Sequence, residues 1–255
     1  MTGRTVSKHT RFYMDGYDLS GDVRSVGPLT WELEVSAETA LTDGVKNVLP
    51  NHATISPGTL DAFLDNTATT GLHVVASGAG TKRTVMIPVG MRAAPAAGDP
   101  VFVGQFEQAG YQQGGDVYVG VNIPFEGWSD TASSLAYGIP WGLLLHANGA
   151  ETAANSTTGA GIDGGAQTTA GGYMVYQIFG GTGAVTISID DSADDSSYAA
   201  LDDATTGEIA DASVPQAGII ALGKTATVEQ YLRWQIAAGG GFSTVTFALA
   251  FVRGR

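Results

Sequence analysis

Residues 231–251 read YLRWQIAAGGGFSTVTFALAF, and the pattern of this stretch decides the fold. Its two halves are rich in apolar and aromatic residues, and three glycines separate them. This arrangement predicts two strands joined in a hairpin over Gly239-Gly240-Gly241. A strand as apolar as the second half must lie inside a sandwich or pair with a neighbouring subunit, because an open apolar edge would aggregate. Four bulky residues of this strand are spaced by two and therefore share one face: Val245, Phe247, Leu249 and Phe251.

Strand signals recur along the rest of the chain. Hairpins are predicted over Gln112–Asp116 and over Gly180–Gly183, because glycine clusters there separate apolar runs. The remaining predicted strands cover residues 29–35, 84–89, 101–106, 117–123, 138–147, 173–179, 185–190 and 219–222. We therefore expect an all-β fold, mainly an antiparallel sandwich or barrel, with at most one or two short helices.

One stretch leaves helix and strand open. Ser56-Pro57 precedes TLDAFLDN, and this pair is a signal for the start of a helix. In the same stretch Leu60, Ala62 and Leu64 alternate with other residues, which favours a strand. The residues alone do not decide between the two.

The stretch FYMDGYDLSGDV, residues 12–23, raises the question of a metal loop because it holds three aspartates. An EF-hand loop starting at Asp18 needs glycine at its sixth position and glutamate at its twelfth. Those positions hold Val23 and Thr30 instead. Asp15-Gly16 is a strong tight-turn pair, so the stretch is interpreted as turns between strands.

Composition narrows the functional classes. The chain has 255 residues with 36 glycines and no cysteine, which excludes disulfides and thiolate zinc sites. It contains no apolar run of about 18 residues, so no transmembrane helix is expected. The N-terminal segment carries basic residues without an apolar run behind them, unlike a secretion signal.

Acidic residues are concentrated in one interval of the chain. The net charge is −13, and residues 93–223 contain no Lys or Arg but fifteen of the 25 acidic residues. Such a segment cannot bind nucleic acid tightly, because tight binding needs several basic contacts to phosphates. It is either a solvated face that serves solubility or a surface that faces DNA without binding it. The candidates for this acidic surface are Asp163, Asp202, Asp203, Glu208 and Asp211.

Composition also suggests how the chain is divided. A basic start, two strand-rich regions and a stretch rich in Gly, Thr and Ala follow one another. The predicted segments are a flexible arm (1–11), a first β-rich unit (12–149), a loop or linker (150–172) and a second β-rich unit (173–255), although the two units could be one continuous domain.

Motifs for chemistry are weak. Residues 159–164 match G-x-G-x-x-G, but without the flanking strand and helix that a dinucleotide needs. No pair of the four histidines has metal-ligand spacing, and no nucleophile motif is present, so we predict neither a catalytic site nor a cofactor. The densest acidic cluster is interpreted as a solvated turn, with calcium binding as the alternative: Asp190, Asp191, Asp194 and Asp195.

Three motifs together resemble the major tail proteins of long-tailed double-stranded DNA bacteriophages. The first is the turn DGYDLSG at 15–21, and the second is GTLDAFLD at 58–65. The third lies in the C-terminal strands and consists of Tyr231, Arg233, Phe247, Ala250, Phe251 and Arg253. The motifs lie towards both ends of the chain and leave its middle uncovered.

The resemblance implies a sandwich or barrel whose copies form rings, and the rings stack into a tail tube for DNA passage. Such rings have six chains, or three where each chain carries two tube-like units. The family has no active site, and its partners are its own copies and other tail proteins of the virion, which is assembled in the host cytoplasm. In this family residues 58–66 form a strand. For such a tube the acidic candidates would line the lumen, since like charges repel DNA, and residues 1–11 would fill the role of a mobile arm that reaches the next ring.

Two other functions remain open on the sequence. A head-decoration or other virion β-protein would share this composition, with its acidic face turned to solvent. A carbohydrate-binding sandwich is a different class, in which Trp128, Trp141 and Tyr111 would stack on sugar rings.

Overall fold

Antiparallel strands make up most of the computed structural model, which describes residues 7–37, 48–91, 93–115, 118–127, 139–152 and 158–255. The first ten strands are β1 (Tyr13–Met14), β2 (Tyr17–Asp18), β3 (Val23–Val26), β4 (Thr30–Ala37), β5 (Val48–Ser56), β6 (Thr59–Phe63), β7 (Thr81–Pro88), β8 (Pro100–Gln108), β9 (Gln112–Gly114) and β10 (Gly120–Gly127). The next eight are β11 (Trp141–Thr152), β12 (Ile162–Asp163), β13 (Gly172–Thr182), β14 (Val185–Ser192), β15 (Ala199–Thr205), β16 (Gln216–Ala221), β17 (Tyr231–Ala238) and β18 (Thr244–Arg253). These residues also form one α-helical turn, α1 (Leu72–Ala76), and a 3-10 turn at Ser7–His9, so the all-β prediction is confirmed.

The strands form a large curled sheet and two smaller sheets. The main path of the twelve-stranded large sheet runs β16-β13-β18-β11-β8-β10-β6-β3, and β7 leads from β8 to β1 and β2. The small sheet has the order β12-β17-β14-β15, and β4 pairs with β5 in a separate two-stranded ribbon. Because β11 pairs with both β8 and β18, the large sheet contains strands from both sides of residues 150–172.

The two C-terminal strands do not pair with each other, so the hairpin predicted over Gly239-Gly240-Gly241 is wrong. Strand β17 pairs with β14 in the small sheet, and β18 pairs with β13 in the large sheet. The hairpin predicted over Gly180–Gly183 is wrong for the same reason, because β13 and β14 lie in different sheets. Residues 172–192 and 231–253 instead form one long antiparallel ribbon that bends from one sheet into the other, here called the folded ribbon. The hairpin predicted over Gln112–Asp116 is confirmed by the pairing of β10 with β8 and β9.

Glycines make the bend of the folded ribbon possible, because its two chains touch there backbone to backbone. Gly183 has φ +79°, and a Cβ on it would lie 2.2 Å from the carbonyl carbon of Gly241. Across the bend the Ala184 N–H donates to the Gly240 carbonyl at 3.0 Å, and the Gly239 N–H donates to the Ala184 carbonyl at 2.9 Å. The bend therefore keeps its backbone groups paired while the chain changes sheets.

The folded ribbon encloses a core between the large and small sheets. The four bulky residues of β18 quoted above all lie in this core, as their spacing predicted. Trp234 and Ile236 of β17 face them from the small sheet, and both are buried. The apolar C-terminal strand thus lies inside a sandwich.

The opposite face of β18 is also buried, and the β18 side chains on this face are small. Ala248 and Ala250 lie in a separate core on the concave side of the large sheet, together with Val101 and Val103 of β8. The sheet curls into a half-barrel around this core. A third core lies under β6, β7 and β10 and includes Leu72 of α1.

A buried glutamine joins the two ends of the curled sheet. Gln177 of β13 is fully buried. Its side-chain oxygen Oε1 accepts from the Gly16 N–H at 2.6 Å, and its side-chain Nε2 donates to the backbone carbonyl of Thr84 on β7 at 2.9 Å. The Asp15-Gly16 turn between β1 and β2 is confirmed, with φ values of +52° and +83° that suit a hairpin turn. A Cβ on Gly16 would lie 2.2 Å from the Gln216 nitrogen, so glycine permits this close approach.

The stretch TLDAFLDN, for which the sequence allowed either a helix or a strand, contains a strand. Residues Thr59–Phe63 form β6, and Leu60 and Ala62 point into the core while their neighbours point outward. The alternation therefore outweighs the Ser56-Pro57 signal, and the strand that the phage family implied is confirmed.

The bend of the folded ribbon gives a first testable prediction. Gly183→Ala should lower the free energy of unfolding by about 2 kcal/mol or more, because it forces a side chain into the left-handed region and against Gly241. Gly240→Ala is the matched control in the same bend, since a Cβ there would meet no atom within 4 Å. Urea unfolding of both variants measures the difference, and equal stability of the two would contradict the role of Gly183.

A second prediction concerns the seam of the curled sheet. Gln177→Leu should cost about 1–3 kcal/mol, because it leaves the buried Gly16 N–H without its acceptor. Gln167→Leu removes an exposed glutamine whose amide donates to the Glu229 carboxylate, and should change stability by less than about 0.5 kcal/mol. A Gln177→Leu variant as stable as the wild type in urea would show that the seam does not depend on this side chain.

Candidate assembly surfaces

Four of the five acidic candidates lie along one edge of the small sheet. Asp202 and Asp203 belong to its edge strand β15, and Glu208 and Asp211 follow in the next loop. All four side chains are exposed. Asp163 lies on β12 at the opposite edge, about 14 Å away at the usual spacing of strands. The structure thus groups four candidates and separates the fifth.

Hydrogen bonds favour the charged form of two acidic candidates, one at each edge: Asp163 and Asp211. The pKa of Asp163 is lowered because its carboxylate accepts from the Gly165 N–H at 2.9 Å and from the Gln230 amide at 3.1 Å. The pKa of Asp211 is lowered by the hydroxyl and the N–H of Ser213. Hydrogen bonds of this kind favour the charged form, so these two carboxylates contribute to a negative field on both edges of the small sheet.

The four aspartates of the calcium alternative have separate environments. Asp190 is buried and paired with Arg233, whose guanidinium lies 2.9 Å from the carboxylate. Asp191 accepts from the Glu229 N–H at 2.8 Å, and burial raises its pKa. Both carboxylates are therefore engaged within the protein.

The other two aspartates hold the turn between β14 and β15. Asp194 accepts from the N–H groups of Ser196 and Ser197 at 3.0 Å and 2.8 Å, and Asp195 accepts from the Tyr198 hydroxyl. Within the described ranges, no three His, Cys, Asp or Glu side chains lie together in a way that could hold a metal ion. Calcium binding by these four aspartates thus stays a prediction, and no cluster of ligands in the described residues supports it.

The arginines of the family-like C-terminal motif hold strands together. Arg233 pairs with Asp190 between β17 and β14. Arg253 donates to the carbonyl oxygens of Val228 at 3.0 Å and Gln230 at 2.8 Å, which ties the last strand to the start of β17. Both roles are structural.

The ribbon β4–β5 is the second surface with features of an assembly contact. Its strands pair with each other, and no pairing with a third strand is present in the described part of the chain. Trp31 lies opposite Ile55 on this ribbon and is 39% exposed, while Glu32 and Glu34 are exposed on the other face. The sequence predicted β4 from its alternation but missed β5, because Pro50 and His52 interrupt the apolar pattern.

The described part of the predicted N-terminal arm lies beside β7. Thr10 forms a bridge with Val89, and the Arg11 N–H donates to the Pro88 carbonyl at 3.1 Å. Residues 1–6 lie outside the described ranges, so a mobile arm that reaches another ring stays a prediction.

Parts of the other motifs lie together at one pocket of about 630 Å³, which is lined by Trp141, by Asp163 and Gly164 of residues 159–164, and by Arg253. In residues 159–164 the only regular element is the short strand β12, and residues 158–255 contain no helix that could hold a dinucleotide. Trp141 packs edge-on against Phe102 at 5.3 Å, and the Tyr111 hydroxyl lies 2.7 Å from His73. Both aromatic rings are half-buried against a core, and Trp128 lies outside the described ranges. No helix in the described part of the chain is long and apolar enough to span a membrane.

The turn at Asp194 gives a prediction for pH dependence. Its pKa is lowered from the usual 3.8 by the N–H groups of Ser197 and Ser196, so the charged form stabilises the fold above the unfolded-state pKa. Asp194→Ala should therefore be less stable than the wild type at pH 7, and the difference should shrink as the pH falls below about 4. Thermal unfolding at several pH values measures this, with the exposed Asp202→Ala as control. A difference that stays constant with pH would contradict the assignment.

Comparison with known proteins gives little further constraint. No family model and no curated protein matches the chain. Among solved structures, the Dit (gp 19.1) protein of SPP1, described as "a Paradigm of Hub Adsorption Apparatus in Gram-positive Infecting Phages", aligns with 96% of this chain and 99% of its own. The two are 10% identical with a TM-score of 0.33, and at this level the similarity carries no functional argument.

Proposed function

We propose that this chain is a structural protein of a phage virion, whose copies close into rings that stack as a tail tube with an acidic lumen. The observation that carries the proposal is the exposed acidic edge of the small sheet, formed by Asp202, Asp203, Glu208 and Asp211. The motif resemblance at both ends of the sequence points to the same family. Three or six chains would form each ring, and the function involves no catalytic step.

The acidic edge suits a wall along which DNA must slide. A conduit that gripped its cargo through Lys or Arg would hold it by phosphate contacts. Carboxylates repel phosphates instead, and at physiological salt this repulsion acts over about 8 Å, which is enough across a thin hydrated layer. A lumen lined by such edges keeps DNA centred and mobile.

The ribbon β4–β5 supports contacts between copies. A ribbon of only two strands is marginally stable in water, so a ribbon that carries an exposed Trp31 would gain from being covered. In closed rings the same surface of each copy can meet the neighbouring copy, and no apolar edge is left open. Copies of this chain are therefore the proposed main partner, with other tail proteins at the ends of the tube.

Electron microscopy tests the assembly, and nuclease protection tests the lumen. The purified protein at high concentration should form long hollow polymers. In tubes of Asp202→Lys/Glu208→Lys the lumen would attract phosphate, so short duplex DNA should be protected from nuclease, while wild-type tubes leave it unprotected.

The control for this experiment is Asp18→Lys/Glu126→Lys, which makes the same charge change at exposed positions of the first β-rich unit. Its tubes should protect no DNA. Equal protection by both variants would place the acidic edge outside the lumen and favour a decoration role. A protein that stays monomeric at every concentration would remove the tube proposal altogether.

A further inference from the structure

The outer face of the β3-β6-β10-β9 region carries an arrangement that the tube proposal does not use. The inward-facing residues of these strands are buried: Leu60, Ala62, Val121 and Ile123. Because side chains alternate along a strand, the residues between them point outward. The outward face therefore consists of two rows of residues that run across neighbouring strands.

The first row is polar and hydrogen-bonded. Asn122 lies opposite Gln112 on one side and Asp61 on the other, and Ser25 lies opposite Asp61 on β3. The Asn122 amide donates to the Asp61 carboxylate at 2.8 Å, and the Ser25 hydroxyl donates to the same carboxylate at 3.2 Å. These bonds fix the direction of the polar groups while both amides keep further donor and acceptor positions.

The second row consists of two glycines, which have no side chain, followed by aromatic residues. Gly120 lies opposite Gly114 and Phe63, so the two glycines leave a depression beside the ring. Tyr118 packs edge-on against Phe63 with ring centroids 5.2 Å apart, and both side chains are 44% exposed. The Arg24 guanidinium lies 4.8 Å from the Tyr118 ring centroid, which fixes the aromatic pair from one side.

The two rows bound one open groove of about 460 Å³. Its floor is backbone, one wall is aromatic and the other is a fixed polar row. Small-molecule sites combine apolar surface with a few fixed polar groups in just such a volume range, roughly 300–1,000 Å³. Two exposed aromatic side chains in contact, on a surface where large apolar side chains are few, also indicate a contact site.

We propose that this groove binds a pyranose ring of a neutral oligosaccharide. A pyranose has an apolar C–H face that packs on an aromatic ring and a rim of hydroxyls that both donate and accept. The mixed amides and carboxylate of the polar row match such a rim, since a purely cationic or anionic ligand would meet only one kind of partner. Arg24 and Asp61 balance each other in charge, which favours a neutral ligand. The aromatic residues that the sequence singled out for sugar stacking take no part.

Glycan-array screening of the purified full chain tests this site, with neutral glucan, galactan, mannan and chitin oligosaccharides as probes. Titration of the strongest binder by ligand-observed NMR should give a dissociation constant of about 1 mM or tighter. Tyr118→Ala should weaken binding about tenfold, because it removes the stacking surface. Gly114→Val should abolish glycan binding, because its side chain would fill the floor of the groove. A Cβ on Gly114 would meet no atom within 4 Å, so the fold should tolerate this substitution.

Two matched controls separate the groove from general effects. Trp31→Ala removes another exposed aromatic side chain, and Gly223→Val adds the same bulk at another open glycine. Both should bind as the wild type does. No binding by ligand-observed NMR at about 10 mM of any of these glycans, or equal binding by Gly114→Val and Gly223→Val, would overturn the proposal. The result is independent of tube formation, because the array uses the dispersed protein.

Discussion

The burial of β18 on both faces is the constraint on which the rest of the structure depends. On one side its bulky residues fill the core between the two sheets, and on the other Ala248 and Ala250 line the concave core. Each bulky side chain contributes about 1.5–3 kcal/mol when it is removed from water. Because β18 presents small side chains on the concave side, larger residues of other strands, such as Met86 and Tyr173, fill that core.

The folded ribbon satisfies this constraint with a single change of sheet. Because both of its chains bend at the same place, the strand pair stays hydrogen-bonded on each side of the bend and no edge strand is created inside the molecule. The curl then brings the ends of the large sheet together, where Gln177 supplies with its side chain the bonds that a backbone ladder would otherwise make.

The sequence predicted most of the longer strands, missed β5 and β15, and did not indicate which strands pair. Alternation identified β4, β17 and β18, because it reports which face of a strand is buried. The glycine-rich links at 180–183 and 239–241 wrongly predict hairpin turns. A link that bends a ribbon between sheets has the same local composition as a turn that reverses a strand. The difference lies in pairing between residues about 60 positions apart, which no local pattern records.

Closeness of residues along the chain also determines which surfaces could be predicted from the sequence. The acidic edge was visible because its residues are close together in the chain, and the absence of Lys and Arg from 93–223 is a local property. The groove was invisible, because Arg24, Phe63 and Tyr118 come together only through the pairing of β6 with β3 and β10. A pattern search would have needed the register of those strands to place an aromatic pair beside two glycines.

Charge is distributed along the chain in a way that fits these surfaces. Residues 1–92 carry eight basic and nine acidic residues and are nearly neutral, whereas the fifteen acids of residues 93–223 have no basic counterpart. Copies that meet through the nearly neutral part avoid most of the repulsion that a net charge of −13 would otherwise impose on a polymer. In the proposed rings the acidic parts would add their fields on one side, so segregation of charge along the chain would let one protein both associate with its copies and repel a polyanion.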